Sequence, residues 1–137
     1  MKIGNVIKKF NQEEIYLCPK CLSESHIEGI SLVCNENHRY DFSKKGYIHL
    51  INNYKPTKYS EDLFKARSEV FSNSFYENVL KNIQNLIEKY AKDIVLDIGC
   101  GEGYYIKKLK TVFPEKYFYG LDKSKDAIEL AVKEDKL

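Results

Sequence analysis

The sequence contains no stretch of eighteen consecutive apolar residues, and its basic start from Met1 to Lys9 lacks the apolar segment of a secretory signal. Neither a membrane-spanning helix nor a signal peptide is expected, and the chain reads as cytoplasmic. Neither sign of charge dominates. The 22 Lys+Arg against 20 Asp+Glu leave a net +2, so the whole-molecule field does not advertise a polyanionic partner. Arginine is scarce: Arg39 and Arg67 are the only two among the 22 cations. The lysine excess, with many Ile, Asn and Tyr, reads as codon bias of an AT-rich genome more readily than as selection for lysine. At 43% hydrophobic and 31% charged, the 137 residues describe an ordinary globular chain of one domain or two small ones.

Cysteine is also sparse, and its placement is informative. Cys18, Cys21, Cys34 and Cys100 are the four present. In a reducing compartment a disulfide framework is not expected. The first three combine with His38 into C-x2-C-x12-C-x3-H, which supplies three thiolates and an imidazole, a full tetrahedral shell for zinc. The β-prone runs Glu14 to Leu17 and Ile30 to Val33 each deliver the chain into a ligand pair, the pattern of a zinc ribbon. Four protein ligands leave no position for water, so such a metal is structural. About fifty residues make a weak core alone, and metal binding supplies the missing folding free energy. His26 sits in a polar stretch and reads as exposed, and Cys100 lies too far along the chain to join the shell.

From 38 to 67 the chain carries seven Lys and Arg against three acids, with Tyr40, Phe42, Tyr47, Tyr54 and Tyr59 interleaved. Cations beside aromatic faces are the ingredients of single-stranded RNA contact, and Arg39, Lys44, Lys45, Tyr47 and Arg67 are the candidates. The alternative is a solvated lysine-rich linker whose rings pack on the ribbon. Lys55-Pro56-Thr57 marks a boundary. Beyond it Ser60 is placed to cap a short helix, and Ser74 to Glu77 reads as a capping box for a longer one. The stripes Leu63, Phe64, Val70, Phe71 and Phe75 to Tyr90 are expected to be packing surface.

Ile94 to Ile98 has the pattern of a buried strand. It runs into Gly99-Cys100-Gly101-Glu102-Gly103, then a helix from Tyr104 that Pro114 ends, then a second strand from Tyr117 to Leu121 closing on Asp122. This is the order of a βαβ unit whose glycines permit a tight turn and close approach by a ligand. An acid at the tip of the second strand can accept both hydroxyls of an adenosine ribose. The spacing D-x-G-x-G-x-G brings the third glycine one residue earlier than the dinucleotide pattern G-x-G-x-x-G, and no phosphate-loop lysine follows. It resembles the motif of S-adenosylmethionine-dependent methyltransferases; nicotinamide or flavin binding and a purely structural turn are the alternatives.

The combination of Cys18-Pro-x-Cys21, Cys34-x3-His38, Tyr40-Asp-Phe42, Lys45-Gly-Tyr47, Ala66-Arg67, Asp97 to Tyr105 and Leu121-Asp-x-Ser124 resembles the RlmA family of large-subunit (23S) ribosomal RNA (guanine-N(1)-)-methyltransferases over nearly the whole chain. The resemblance implies methyl transfer from S-adenosylmethionine to ring nitrogen 1 of a guanine in an rRNA hairpin, a zinc domain that helps recognise RNA, and a homodimer. Carried over by residue, Cys18, Cys21, Cys34 and His38 hold zinc. Gly99, Gly101 and Gly103 line the cofactor, Asp97 lies near its methionine end, and Asp122 holds the ribose. The chain departs from the family pattern at Lys58-Tyr59-Ser60, at Ser74-Phe75-Tyr76 and at His49. No residue stands out as the base that must take the ring proton.

The expected fold is therefore a small zinc ribbon over 1–52, linker and packing helices over 53–92, and over 93–137 the first part of a doubly wound, Rossmann-like α/β methyltransferase domain. A doubly wound sheet needs more chain than 93–137 provides, so a front portion of a larger protein, inactive alone, is expected. The competing functions are a ribbon that binds RNA without catalysis and a methyltransferase for a non-RNA substrate. Residues 38–67 carry +4 and residues 93–137 carry −1, so the near-neutral total conceals a basic and a mildly acidic part.

Overall fold

The structure, a computed structural model, describes residues 3–10, 16–51, 54–55 and 61–134. It divides into two compact units that meet in sequence at Lys55 and Pro56.

The first unit opens with helix α1 (Ile3–Phe10), followed by β1 (Ser25–Glu28), β2 (Ser31–Cys34) and β3 (Arg39–Asp41). The three strands form an antiparallel sheet in the order β1-β2-β3, with Ile27 opposite Leu32 and Leu32 opposite Tyr40. Strand β2 is buried at all four positions, and Leu32, Tyr40, Cys18 and Cys34 make the core cluster. The expected strand from Glu14 lies partly outside the described residues. Its last member, Leu17, makes only an isolated bridge to Glu24. Helix α1 repeats its apolar residues at Ile3, Val6, Ile7 and Phe10, a helical spacing. Val6 is buried, and the Phe10 ring meets Phe42 edge-on at 5.1 Å.

The second unit contains α2 (Glu61–Ser72), α3 (Glu77–Tyr90), β4 (Ile94–Ile98), α4 (Tyr104–Val112), β5 (Tyr117–Leu121) and α5 (Lys125–Glu134). Strands β4 and β5 pair in parallel with Asp97 opposite Gly120, and α4 is the crossover between them, as the βαβ reading requires. Pro114 follows α4 within two residues. Ser60, the expected cap of α2, lies outside the described residues.

Three expectations need correction. Ser74 does not form a capping box. It sits in the left-handed region at φ 60°, its backbone carbonyl accepts the Glu77 N–H at 3.1 Å, and the residue in cap position is Tyr76, with no side-chain cap. The apolar stripes are also only partly packing surface. Phe64, Phe71, Leu80 and Ile87 are buried, the last two against Leu109, Val95 and Phe118, because one line of α3 faces the sheet. Phe75, ahead of α3, is 74% exposed and Leu86 57%. Likewise β4 is covered on one face only, and Ile94, Leu96 and Ile98 point away from the Leu80 cluster and are exposed. Period-2 alternation sends neighbouring side chains to opposite faces, so a run of apolar residues does not by itself bury both.

Among the described residues, no helix is long and apolar enough to cross a membrane.

Candidate functional site

Two clusters of chemically capable side chains stand out, one in each unit. In the first, the ligand atoms of Cys18, Cys21, Cys34 and His38 all lie within 4.8 Å of one another. They are brought together by two tight turns. In one, the Cys18 N–H donates to the Ser23 carbonyl and the Leu22 N–H to the Cys18 carbonyl, each at 2.8 Å, with Leu22 held at φ 60°. In the other, at the β2–β3 connection, the Cys34 N–H donates to the His38 carbonyl at 3.1 Å, and Asn37 sits at φ 61°.

The distances fit a tetrahedral ion. Zn–S bonds of about 2.3 Å and a Zn–N bond of about 2.0 Å imply S–S edges of roughly 3.8 Å and S–N edges of roughly 3.5 Å. Here Cys21 Sγ to Cys34 Sγ is 3.7 Å, and His38 Nδ1 is 3.5 Å from Cys18 Sγ and 3.4 Å from Cys34 Sγ. The next layer supplies donors to the sulfurs: Tyr40 Oη at 3.5 Å from Cys18, Ser23 Oγ at 3.1 Å from Cys21, and the His38 backbone N–H at 3.3 Å from Cys34. Burial pushes the Cys18 thiol up, but the Tyr40 hydroxyl and the backbone at Cys21 and Lys20 outweigh it and bring it down to about 5. The set thus offers a thiolate at neutral pH and can hold a soft divalent cation.

The basic candidates of this unit are spread out. Arg39 is exposed on β3 and paired with Glu28 at 2.9 Å. Lys44 and Lys45 are exposed in the turn after Phe42. Tyr47 is only 8% exposed, its ring edge-on to His49 at 4.8 Å, so it offers little open face for a base.

The second cluster surrounds the turn between β4 and α4. Gly99, Gly101 and Gly103 all have left-handed backbones, at φ 81°, 56° and 77°. A Cβ added at Gly99 would meet nothing within 4 Å, so its face is open to a ligand's approach. The Gly99 and Cys100 N–H groups donate to the Leu121 carbonyl, tying the loop to the tip of β5. Asp122 completes that tie: one carboxylate oxygen accepts the Gly101 N–H at 2.9 Å and the other the Ser124 N–H at 2.7 Å. Ser124 in turn caps α5 by accepting the Ala127 N–H at 3.3 Å. Asp97 and Glu102 carry buried carboxylate oxygens (Oδ2, and both Oε atoms) with no hydrogen-bond partner among the described residues. Burial, and then the Asp122 charge, hold the Asp97 carboxyl above its ordinary range. Burial, with the charges of Asp97 and Asp122 behind it, pushes the Cys100 thiol up to about 12, so it is neither thiolate ligand nor nucleophile.

The donor set therefore fits a ligand that is cationic near Asp97 and approaches an open glycine backbone. The sequence reading missed Glu102, although a charged residue between two glycines of a buried turn was a usable signal. It also put Arg67 with the RNA candidates; in the folded unit Arg67 stands over Gly101 and 4.0 Å from Glu102.

Comparisons with known proteins divide the chain in the same way. Residues 16–55 match the zinc-ribbon family described as RlmA, N-terminal, and residues 89–137 match a methyltransferase domain family. A protein of Bacillus subtilis (strain 168), provisionally named 23S rRNA (guanine-N(1)-)-methyltransferase YxjB, is 32% identical over 129 residues, covering 87% of this chain and 46% of its own length. The 23S rRNA (guanine(748)-N(1))-methyltransferase of Streptomyces fradiae is 26% identical over 123 residues, covering 85% and 43%. O-methyltransferase 3 of Dictyostelium discoideum is 37% identical over 76 residues, covering 48% and 17%. The chain spans less than half the length of each of these relatives. Residues 16–55 are thus similar to the RlmA-type N-terminal zinc ribbon and residues 89–137 to a methyltransferase domain, and two relatives that match over most of the chain are named for 23S rRNA guanine-N(1) methylation.

Proposed function

We propose that the chain is the N-terminal portion of a cytoplasmic S-adenosylmethionine-dependent methyltransferase acting on ring nitrogen 1 of a guanine in 23S rRNA, and that the whole protein is a homodimer. Cys18, Cys21, Cys34 and His38 hold a structural zinc. Gly99, Gly101 and Gly103 give the cofactor a bare backbone to lie on, and Asp97 faces its positively charged end. Asp122 spans the Gly101 and Ser124 N–H groups and keeps acceptor capacity on both oxygens for the ribose hydroxyls. When bound, the cofactor supplies the transferable methyl group. The ribbon, with Arg39, Lys44 and Lys45, is the RNA-recognising part.

One observation carries this reading: the four-ligand ribbon and the glycine loop occur in one chain, and 85–87% of that chain matches relatives named for 23S rRNA guanine-N1 methylation. The test is a pair of titrations of the zinc-loaded chain. S-adenosylhomocysteine binding is read by calorimetry, and binding of 23S rRNA hairpin fragments by gel shift. Both bind on this reading, and neutralising Lys44 and Lys45 together weakens only the RNA. RNA binding without cofactor binding would instead make the chain a recognition module. Cofactor binding with no RNA affinity would make it a methyltransferase for another substrate.

A further inference from the structure

Arg67 lies on α2, inside the second unit, and its side chain is fixed from two directions. Its guanidinium lies over the buried rings of Phe64 and Phe71, at 5.8 and 5.5 Å from the centroids. Phe71 is itself stacked on Tyr104, the first residue of α4, at 4.3 Å and 13°. Both contacts restrict the long side chain before any ligand arrives. The guanidinium then reaches the glycine loop. A Cβ built on Gly101 would lie 3.6 and 3.7 Å from the two terminal nitrogens and 3.9 Å from Cζ, so the two-nitrogen end of the fork leans toward the loop.

The contact with Glu102 attracts without occupying the fork. At 4.0 Å from Oε2 it is an ion pair too long for a hydrogen bond, and Glu102 is 6% exposed with neither oxygen hydrogen-bonded among the described residues. Asp97 Oδ2, at the end of β4, is buried in the same condition. Buried acceptors without donors are costly, and they favour a ligand that brings positive charge. The fork beside them favours a ligand that also brings a planar anion. One chemical group has both within a single carbon atom: the α-amino acid zwitterion.

We propose that Arg67 holds the α-carboxylate of the cofactor's amino-acid end above the glycine loop, with Glu102 as the positioning residue that draws the guanidinium there. This rests on the reading of the loop as the cofactor site. An RNA phosphate is the other anion Arg67 can serve, and it is disfavoured here because the Glu102 carboxylate beside the fork repels a bare polyanion while it suits a zwitterion.

The test compares two probes that differ by the carboxylate alone: S-adenosylhomocysteine and its decarboxylated amine, S-adenosyl-3-thiopropylamine, each titrated calorimetrically into the zinc-loaded chain. Because Arg67 is half exposed, the preference for the carboxylate-bearing probe is expected at the low end for a charge-assisted pair, about tenfold. Arg67→Met, which keeps the stem on the two rings, lowers affinity for S-adenosylhomocysteine alone and erases the preference, and Arg67→Lys retains part of it. Affinity for an rRNA hairpin stays unchanged in both variants. Equal loss for both probes in Arg67→Met would reduce the role to packing. A preference that survives the substitution, or a fall in RNA affinity alone, would overturn the assignment. If the methionine variant does not fold, an unsubstituted chain that binds both probes equally, or an Arg67→Lys chain with the full preference, overturns it as well. Failure of the unsubstituted chain to bind either probe would sink the cofactor reading itself, and this assignment with it.

Discussion

Withdrawing zinc from the ribbon is the perturbation with the largest expected consequence. Of the four residues in the buried cluster of the first unit, Cys18 and Cys34 belong to the proposed ligand set, and Tyr40 places its hydroxyl 3.5 Å from Cys18 Sγ. Leu32 is the only member with no such tie. Burying a side chain of that size contributes about 1.5–3 kcal/mol. A core in a domain this small rarely supplies more than about 3–5 kcal/mol net. Structural zinc contributes about 10–16 kcal/mol of apparent binding free energy near neutral pH. A domain's net stability is only about 5–15 kcal/mol, so losing a term of that size removes nearly all of it and unfolds the unit. Hydrogen exchange during a chelator titration is the assay. The amides of Leu32, Cys34 and His38 are expected to lose protection as one zinc is released per chain, while those of β4 and β5 keep theirs. Restoring zinc restores the pattern. Ribbon amides that stay protected in demonstrably metal-free chain would refute the argument that the metal is the principal source of the fold there.

Three further substitutions probe the second unit. Gly120→Ala places a Cβ 2.8 Å from Cys100 Sγ and 2.9 Å from Ile106 Cδ1. It should cost about 1–3 kcal/mol in a thermal melt, with partial relief in a Cys100→Ala background, and an equal loss in both backgrounds would contradict the packing explanation. The Asp97 carboxyl is held above its ordinary value of 3.8 by burial first and by Asp122 second. A raised folded-state value means its contribution is present below the unfolded value and lost as pH rises through the folded one, so ionised Asp97 opposes folding at neutral pH. Asp97→Asn is therefore expected to be more stable than the parent at neutral pH, by a margin that closes once the medium is more acidic than 3.8. Denaturant melts across that range check it, and a margin independent of pH would remove the charge from the explanation. Asp122→Ala leaves the Gly101 and Ser124 N–H groups without their acceptor. A cost of about 1–3 kcal/mol for each is expected, with faster exchange at those two amides, and Asp122→Asn should lose roughly half as much.

What the sequence made legible is what glycine, proline and ligand spacing punctuate. The run from Ile94 through Gly99, Gly101 and Gly103 to Pro114 and Asp122 specifies strand, turn, crossover and strand, because few other chains can make that turn. The ribbon pair was legible for the same reason, since a C-x2-C loop and a C-x3-H loop close only tight turns. Helix α1 and strands β1 and β3 were missed. The helix shows the spacing Ile3, Val6, Ile7, Phe10 over only eight residues, β1 is the four-residue run Ser25–Glu28 with Ile27 as its single aliphatic residue, and β3 is three residues long with Tyr40 as its single buried member. Ser74 misled because a capping box is read from residue types at fixed spacing, whereas its left-handed backbone turns its carbonyl, and not its hydroxyl, toward the Glu77 N–H. The place of Arg67 was not legible for a tertiary reason: sequence proximity to a lysine-rich stretch says nothing about which way a helix turns, and α2 turns it onto the loop.

The two units carry different kinds of information about function, and the charges show why. Around the glycine loop stand Asp97, Glu102, Asp122 and Arg67, an arrangement that on the proposed reading suits a small zwitterionic cation whatever receives the methyl group. Among the relatives, an O-methyltransferase shares 37% identity over 76 residues and 48% of this chain, and an rRNA enzyme 26% identity over 85% of it. The assignment to rRNA therefore stands or falls with the first unit, whose basic turn at Lys44 and Lys45 is where a polyanion would be met, and the assignment to methyl transfer stands or falls with the second.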